Sequence, residues 1–217
     1  LTFFFRHMRP LVDAGYLYIA QPPLFRAKHG QSEVYLKDQS ALDNYLINSG
    51  IKDVSLSIGN NQTILGQDLK NSVEKSIQAK RIIDKIGKSL GFQDIISQIA
   101  ILGLFNIDLL SNENHLLTIT ERLNSLLSED SNLWNAQYNY AIGNDNKKSI
   151  EIYRVNRGVK DILILTENDL TSDEAKVLNN MKDFLNDHFA NKCVFTINEK
   201  NYDLNGPIDL AQKVNSL

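Results

Sequence analysis

The spacing of the apolar residues changes partway along this 217-residue chain. Between positions 69 and 128 they recur every three or four residues, the period of an amphipathic helix. Between positions 134 and 166 they alternate with polar residues, as in a half-buried strand. These patterns predict helices over 69–90, 92–105 and 113–128, and a strand meander over 134–141, 149–155 and 160–166. Helices followed by consecutive strands indicate an α+β fold.

Further predicted elements flank this block. The alternating residues 54–58 predict a strand that ends in a turn at Gly59, and Asp68 is expected to cap the helix over 69–90. A turn over 143–146 connects the first two strands of the meander. A capping sequence over 171–174 starts a helix over 173–189, and residues 193–197 predict a last short strand. We expect these elements to share a core and to fold autonomously.

The first fifty residues have their own pattern. A helix is expected over 1–13, although Pro10 strains its middle, and the aromatic-rich run over 16–20 predicts a buried strand. Residues 24–28 and 33–37 predict a hairpin, and a short helix over 40–46 follows, capped by Asp38 or Ser40. Helix, strand, hairpin and helix together are typical of an α/β segment.

Composition excludes several classes of protein. The net charge is −3 and the pI is near 5.8, so any DNA contact must come from a local patch rather than from bulk charge. A single cysteine, Cys193, excludes an intramolecular disulfide and a cysteine-based zinc site, and it fits a reducing compartment. The apolar runs fall short of the roughly 20 residues that a transmembrane helix needs. No membrane contact is therefore expected.

The helix over 69–90 is rich in basic residues. Between Lys70 and Leu90 there are six basic and two acidic residues, a balance of +4. Such a face could bind DNA phosphates without sequence preference, and the candidate contacts are Lys80, Arg81 and Lys85. The alternative is a solvated polar face without a ligand. Residues 51–217 together hold 18 basic and 22 acidic residues, which favours a scaffold or an intersubunit contact at least as strongly.

The predicted hairpin carries a second basic group near its tip. Its members are Arg26, Lys28, His29 and Lys37. They are either the solvated end of a β-ribbon or a contact to the DNA backbone, and Lys28 is the first candidate for such a contact.

Other site chemistry is not indicated. The four histidines (His7, His29, His115 and His188) are too scattered for a metal-binding pair, and Cys193 is expected to be a buried thiol. The glycines form no phosphate-binding loop, and Asn144, Asp145 and Asn146 lack the glycine and glutamate of a calcium loop. We therefore predict no catalytic, metal or nucleotide site in this chain.

Three ordered blocks near the start of the chain carry a family resemblance. They are Leu-Thr-Phe-Phe-Phe-Arg-His-Met at 1–8, Gly-Tyr-Leu-Tyr-Ile-Ala-Gln-Pro-Pro-Leu-Phe at 15–25 and Tyr-Leu-Lys-Asp at 35–38. These blocks resemble the B subunits of bacterial DNA gyrase, a family of type IIA topoisomerases, in the stretch that follows the Asp-x-Asp metal motif of the TOPRIM domain. The resemblance is strong over 1–47.

The resemblance implies a division of the chain. Residues 1–48 would be the distal TOPRIM segment with its basic hairpin, a position near bound DNA in this family. Residues 49–205 would be an inserted α+β domain, like the large insertion of many Gram-negative gyrase B subunits. Residues 206–217, which begin Gly-Pro-Ile-Asp-Leu-Ala, look like the re-entry into the tail. The abrupt aromatic start without methionine fits a fragment.

The resemblance also implies a parent enzyme. That enzyme would introduce negative supercoils into double-stranded DNA with ATP and Mg²⁺, in a heterotetramer of two A and two B subunits in the bacterial cytoplasm, associated with the nucleoid. Its Mg²⁺ ligands would precede Leu1, and its nucleophilic tyrosine would lie in the A subunit. The fragment would then be catalytically silent, and would shape the DNA-binding surface and transmit contacts between domains and subunits.

Two alternatives remain open at this point. The inserted domain could be a structural buttress or a protein-interaction module with no DNA contact. The parent could also be the B-type subunit of topoisomerase IV, although the long insertion argues against it.

Overall fold

The computed structural model describes residues 2–18, 20, 22–29, 32–39, 41–42, 44–45, 54–59, 62–127, 132–140 and 148–215. The chain divides into two compact units, Leu1–Leu46 and Ile47–Leu217. Each unit is described by itself below.

The first unit begins with two short helices, α1 (Thr2–His7) and α2 (Arg9–Asp13), where the sequence predicts one. Pro10 lies in the first turn of α2, where its missing N–H is tolerated, and the helical conformation is interrupted at Met8. The predicted hairpin is confirmed as β1 (Phe25–His29) and β2 (Ser32–Leu36), with Phe25 opposite Leu36. Its connecting turn lies outside the described residues. After it, Asp38 Oδ1 accepts a hydrogen bond from Ala41 N at 2.8 Å, as a cap does.

The predicted buried strand over 16–20 is wrong for the residues that the structure describes there. Residues 16–18 and 20 have no strand conformation, and Tyr16 and Tyr18 are 71% and 85% exposed. A strand needs a second strand to pair its backbone groups. Within the described part of this unit, β1 and β2 pair with each other, and residues 16–18 and 20 pair with neither strand.

Two antiparallel sheets organise the second unit. The four-stranded sheet has the order β4-β3-β8-β9, where β3 is Val54–Ile58, β4 is Gln62–Ile64, β8 is Cys193–Ile197 and β9 is Lys200–Leu204. The predicted meander is confirmed as β5 (Asn135–Tyr140), β6 (Lys148–Asn156) and β7 (Val159–Thr166). The predicted turn over 143–146 lies outside the described residues. Strand β9 and the short β4 are additions to the predicted elements.

The described residues of the second unit also form several helices. They are α3 (Gly66–Leu90), α4 (Gln93–Ile101), α5 (Glu113–Ser125), α6 (Glu167–Thr171), α7 (Asp173–Asn180), α8 (Lys182–Phe189) and α9 (Pro207–Asn215), with a 3₁₀ turn at Ile107–Leu110. Helix α3 starts after Leu65, so Asp68 lies in its first turn instead of capping it. The predicted helix over 173–189 is interrupted at Met181, directly after Asn179 and Asn180, which are weak helix formers.

One hydrophobic core runs through the second unit. Strand β3 contributes Leu56, helix α3 contributes Ile83, and β8 contributes Phe195, all fully buried. The meander and α9 add Ile152 and Leu210 to the same cluster. The predicted α+β class is therefore confirmed. That residues 206–217 re-enter a tail stays a prediction; here α9 packs within the second unit.

Within the described part of the chain, no helix combines the length and the apolarity that crossing a bilayer requires.

Candidate nucleic-acid interface

The hairpin of the first unit places two predicted cations beside one carboxylate. Arg26 and Lys28 alternate along β1, so both side chains project from the same face of the ribbon. Arg26 Nη2 lies 2.5 Å from Glu33 Oε1, and Lys28 Nζ lies 4.0 Å from the same atom. One carboxylate between two cations leaves about one positive charge uncompensated on an exposed ribbon.

The two remaining hairpin candidates differ in what the structure describes. Lys37 follows β2 and is 84% exposed, with Nζ 3.9 Å from Asp38 Oδ2. Because Asp38 also caps the next helical turn, this lysine is held beside a fixed carboxylate. His29 is the last residue of β1, opposite Ser32. Its side chain lies outside the described part of the structure.

Helix α3 has a core face and a charged face, but its cations are largely paired. Lys80 Nζ contacts Asp84 Oδ2 at 2.5 Å, one turn along the helix. Lys70 pairs with Glu74 at 3.8 Å in the same way. Pairs at this spacing neutralise each other without adding much stability. Arg81, the next candidate, lies on the exposed side of the helix.

Lys85 reaches away from α3 to a second helix. Its Nζ donates a hydrogen bond to Glu174 in the first turn of α7. This hydrogen bond is the main cause of a raised pKa at Lys85 and of a lowered pKa at Glu174. Both partners therefore stay charged, and Lys85 connects two helices rather than standing free.

Lys75 projects from another side of α3. Its Nζ lies 5.2 Å from the centre of the Phe184 ring, a cation–π contact with α8. The six basic residues counted from the sequence therefore do not form one uniform face. The hairpin cations and the helix cations also belong to different units. Contact of any of these residues with DNA stays a prediction.

The structure contains polar clusters that the sequence did not indicate. Glu151 is buried on β6, where Lys160, Asn139 and Gln137 donate hydrogen bonds to its carboxylate, and Lys160 is the main cause of its lowered pKa. Gln137 lies directly opposite Glu151, so a cross-strand search of the predicted meander could have found that contact, whereas Asn139 and Lys160 are offset along their strands. Trp134 is buried, with the Arg154 guanidinium 4.5 Å from its ring centre.

Metal and thiol chemistry have no visible basis in the described residues. No three histidine, cysteine, aspartate or glutamate side chains among them converge closely enough to hold a metal ion. Cys193 is buried at the start of β8, and burial raises the pKa of its thiol to about 12. A protonated, enclosed thiol is not a nucleophile.

Comparison with known proteins gives one consistent result over nearly the whole chain. The DNA gyrase B subunit of Rickettsia prowazekii (strain Madrid E) is 33% identical over 216 residues, which cover 99% of this chain. The gyrase B subunit of Caulobacter vibrioides is 30% identical over 214 residues, and that of Helicobacter pylori is 52% identical over 62 residues. No protein-family model matches the chain. The chain spans about a quarter of the length of the first two relatives (26% and 25%). The predicted resemblance to gyrase B subunits is confirmed, and it extends beyond residues 1–47.

Proposed function

We propose that this chain, which is similar to DNA gyrase B subunits along 99% of its length, is a segment of such a protein. The parent would be a type II DNA topoisomerase that introduces negative supercoils and hydrolyses ATP. The similarity is the observation that carries this proposal, because it continues through both units instead of stopping at the first. The names of the relatives favour gyrase over topoisomerase IV.

In this proposal, the residues that break DNA strands and hydrolyse ATP would lie in other parts of the parent. Mg²⁺ and ATP would bind there, and the A subunit and double-stranded DNA would be the partners. This segment would act without bond-making residues of its own, as part of the DNA-binding surface and as a link between domains and subunits.

Within the segment, the hairpin is the best candidate for a DNA contact. Arg26 and Lys28 share one carboxylate, which leaves a net positive charge to meet a phosphate. On α3, by contrast, Lys70, Lys80 and Lys85 each have a carboxylate within ion-pairing distance. Helix α3 is therefore a weaker candidate for a DNA contact than its number of basic residues implied.

A second candidate role applies to the second unit alone. Its paired cations and its single core from Val54 to Val214 support a structural buttress or protein-interaction module without DNA contact. This role and DNA binding by the hairpin can hold together, since they concern different units.

Three matched double variants test the DNA contact. Arg26→Gln with Lys28→Gln addresses the hairpin, Lys80→Gln with Arg81→Gln addresses α3, and Lys192→Gln with Lys200→Gln is the charge-matched control. Binding of a labelled 30-base-pair duplex is followed by fluorescence anisotropy over a salt series. We expect the hairpin variant to lose the most affinity and to lower the slope of log K against log salt by about 2. Equal losses in all three would point to bulk charge, and no binding at low salt would leave the buttress.

The parent activity needs a separate measurement. The same substitutions, introduced into the full-length B subunit and combined with the A subunit, are assayed for ATP-dependent supercoiling of relaxed plasmid. Absence of supercoiling by the unsubstituted holoenzyme would overturn the assignment to gyrase.

A further inference from the structure

Strand β5 forms one edge of the meander. The strand order is β5-β6-β7, so one side of β5 pairs with β6 and the other side faces α5. An edge strand carries backbone N–H and C=O groups that point away from its own sheet. Another extended segment can pair with them, which is a common way for a protein to bind a peptide.

Asn124 of α5 reveals the direction of these backbone groups. Its Nδ2 donates to Trp134 O at 3.1 Å, and Trp134 N donates to Asn124 Oδ1 at 2.7 Å. One planar amide that donates to and accepts from the same residue reproduces the pairing of a neighbouring strand. Because backbone direction alternates along a strand, the N–H and C=O of Ala136 point to the same side as those of Trp134.

A groove of about 690 Å³ lies between this edge and α5. Glu113, Leu117 and Thr120 line it from one face of the helix, at helical spacing with Asn124. Because the Asn124 amide fills the position beside Trp134, the usable length runs from Thr120 to Glu113, over which the helix rises about 10 Å, or about three residues of extended chain. The groove is therefore long enough for one short strand.

The lining of the groove indicates the chemistry of its occupant. Leu117 and Leu133 are 61% and 62% exposed within it, which provides an apolar anchor point. Among the lining residues that the structure describes, Glu113 is the charged one. A basic side chain would complement it.

We propose that the groove between β5 and α5 binds an extended peptide segment, of which about three residues add to β5 as a further strand. Its apolar side chain would lie on Leu117 and Leu133, and its basic side chain would face Glu113. This inference goes beyond DNA binding and does not depend on it.

The test uses the 217-residue chain and two labelled peptides. One is Lys-Val-Thr-Val-Thr-Val-Lys, and the other has glutamate at both ends. We expect saturable binding of the lysine peptide, at least about tenfold tighter than that of the glutamate peptide, and the reverse preference in Glu113→Lys. Leu117→Asp should weaken binding at least about tenfold, whereas the control Val159→Asp, at an exposed position of β7, should change it less than about twofold.

Strand pairing itself is tested with N-methylated peptides. Methylation at one alternating set of residues should abolish binding, and methylation at the other set should leave it intact, because alternate N–H groups face β5. Equal binding of both sets would overturn strand addition. No saturable binding, or binding unchanged in both Leu117→Asp and Glu113→Lys, would overturn the site. If Leu117→Asp does not fold, Glu113→Lys at an exposed position carries the test.

Discussion

His188 and Ser72 join two helices of the second unit. His188 Nε2 on α8 lies 3.1 Å from Ser72 Oγ on α3, and His188 Nδ1 lies 3.0 Å from the carbonyl oxygen of Phe184. Burial lowers the pKa of His188 below its ordinary value, and the charge of Lys75 acts in the same direction. The hydrogen bond to Phe184 and the charge of Asp187 oppose this shift without reversing it.

The lowered pKa predicts a dependence of stability on pH. Between the folded pKa and 6.5 the unfolded chain binds more protons, so the contribution of His188 is complete above 6.5 and is lost as the pH falls through the folded pKa. Between pH 7.5 and 5.5, the free energy of unfolding measured in urea should fall less for His188→Gln than for the unsubstituted chain. The exposed His7→Gln serves as the control. An identical pH dependence of all three proteins would contradict the prediction.

Arg122 holds the end of α8. Its Nη1 and Nη2 donate to the carbonyl oxygens of Ala190 and Phe189 at 2.7 and 2.8 Å, and its Nε donates to Gln98 Oε1 at 2.9 Å. Arg122→Ala should lower the free energy of unfolding by about 3 kcal/mol, because it leaves these acceptors without their donors. Arg122→Lys should restore less than half of that loss, since an ammonium group lacks the fork of the guanidinium.

Chemical denaturation with measured m-values checks the Arg122 prediction. Lys176→Ala is its control, because Lys176 makes an exposed pair with Asp173 and should change stability by less than about 0.5 kcal/mol. A loss as small for Arg122→Ala would show that its three hydrogen bonds add little.

Glu199 occupies a backbone conformation that suits glycine. The hairpin between β8 and β9 turns over Asn198 and Glu199, with φ values of 46° and 65°. Glu199→Gly should stabilise the second unit by about 1 kcal/mol, because glycine adopts positive φ without a steric cost. Glu199→Ala removes the same side chain but keeps Cβ, so its thermal midpoint should stay near that of the unsubstituted chain. A similar rise in both variants would assign the gain to the lost carboxylate.

The Cys193 thiol should be inert while the chain is folded. Its raised pKa keeps it protonated at neutral pH, and its burial keeps reagents away. The measurement uses a disulfide reagent that releases a coloured thiol. We expect Cys193 to react with it at the rate of unfolding in native buffer, and at once in denaturant. Rapid reaction of the folded chain would place the thiol at the surface.

Periodicity predicted the elements whose apolar faces meet the core. Ile83 belongs to the apolar residues that recur at helical spacing along α3, and Ile152 belongs to those that alternate along β6. The sequence alone therefore located both elements. Strand β9 was missed because Lys200 and most of its neighbours are exposed and polar. The strand predicted around Tyr18 failed for the opposite reason, since an apolar run forms a strand only beside a partner.

The charges of the candidate interface were predictable only where they are local. The register of the hairpin follows from its length, so Glu33 beside Lys28 is accessible to sequence reasoning. The pair between Lys85 and Glu174 joins residues far apart in the chain, and only the fold brings them together. A count of basic residues therefore overstated the free charge of α3.

The pairing of β3 with β8 affects the order in which this unit can fold during synthesis. Val54 opposes Ile197, so the central pair of the four-stranded sheet joins an early segment to a late one. A ribosome adds about 5–20 residues per second, so β3 emerges on the order of ten seconds before its main partner. During that interval its alternating apolar side chains face water or a chaperone. Helices α3 to α5 can form locally during this interval. The pairing of β3 with β8 has to wait until β8 has been synthesised.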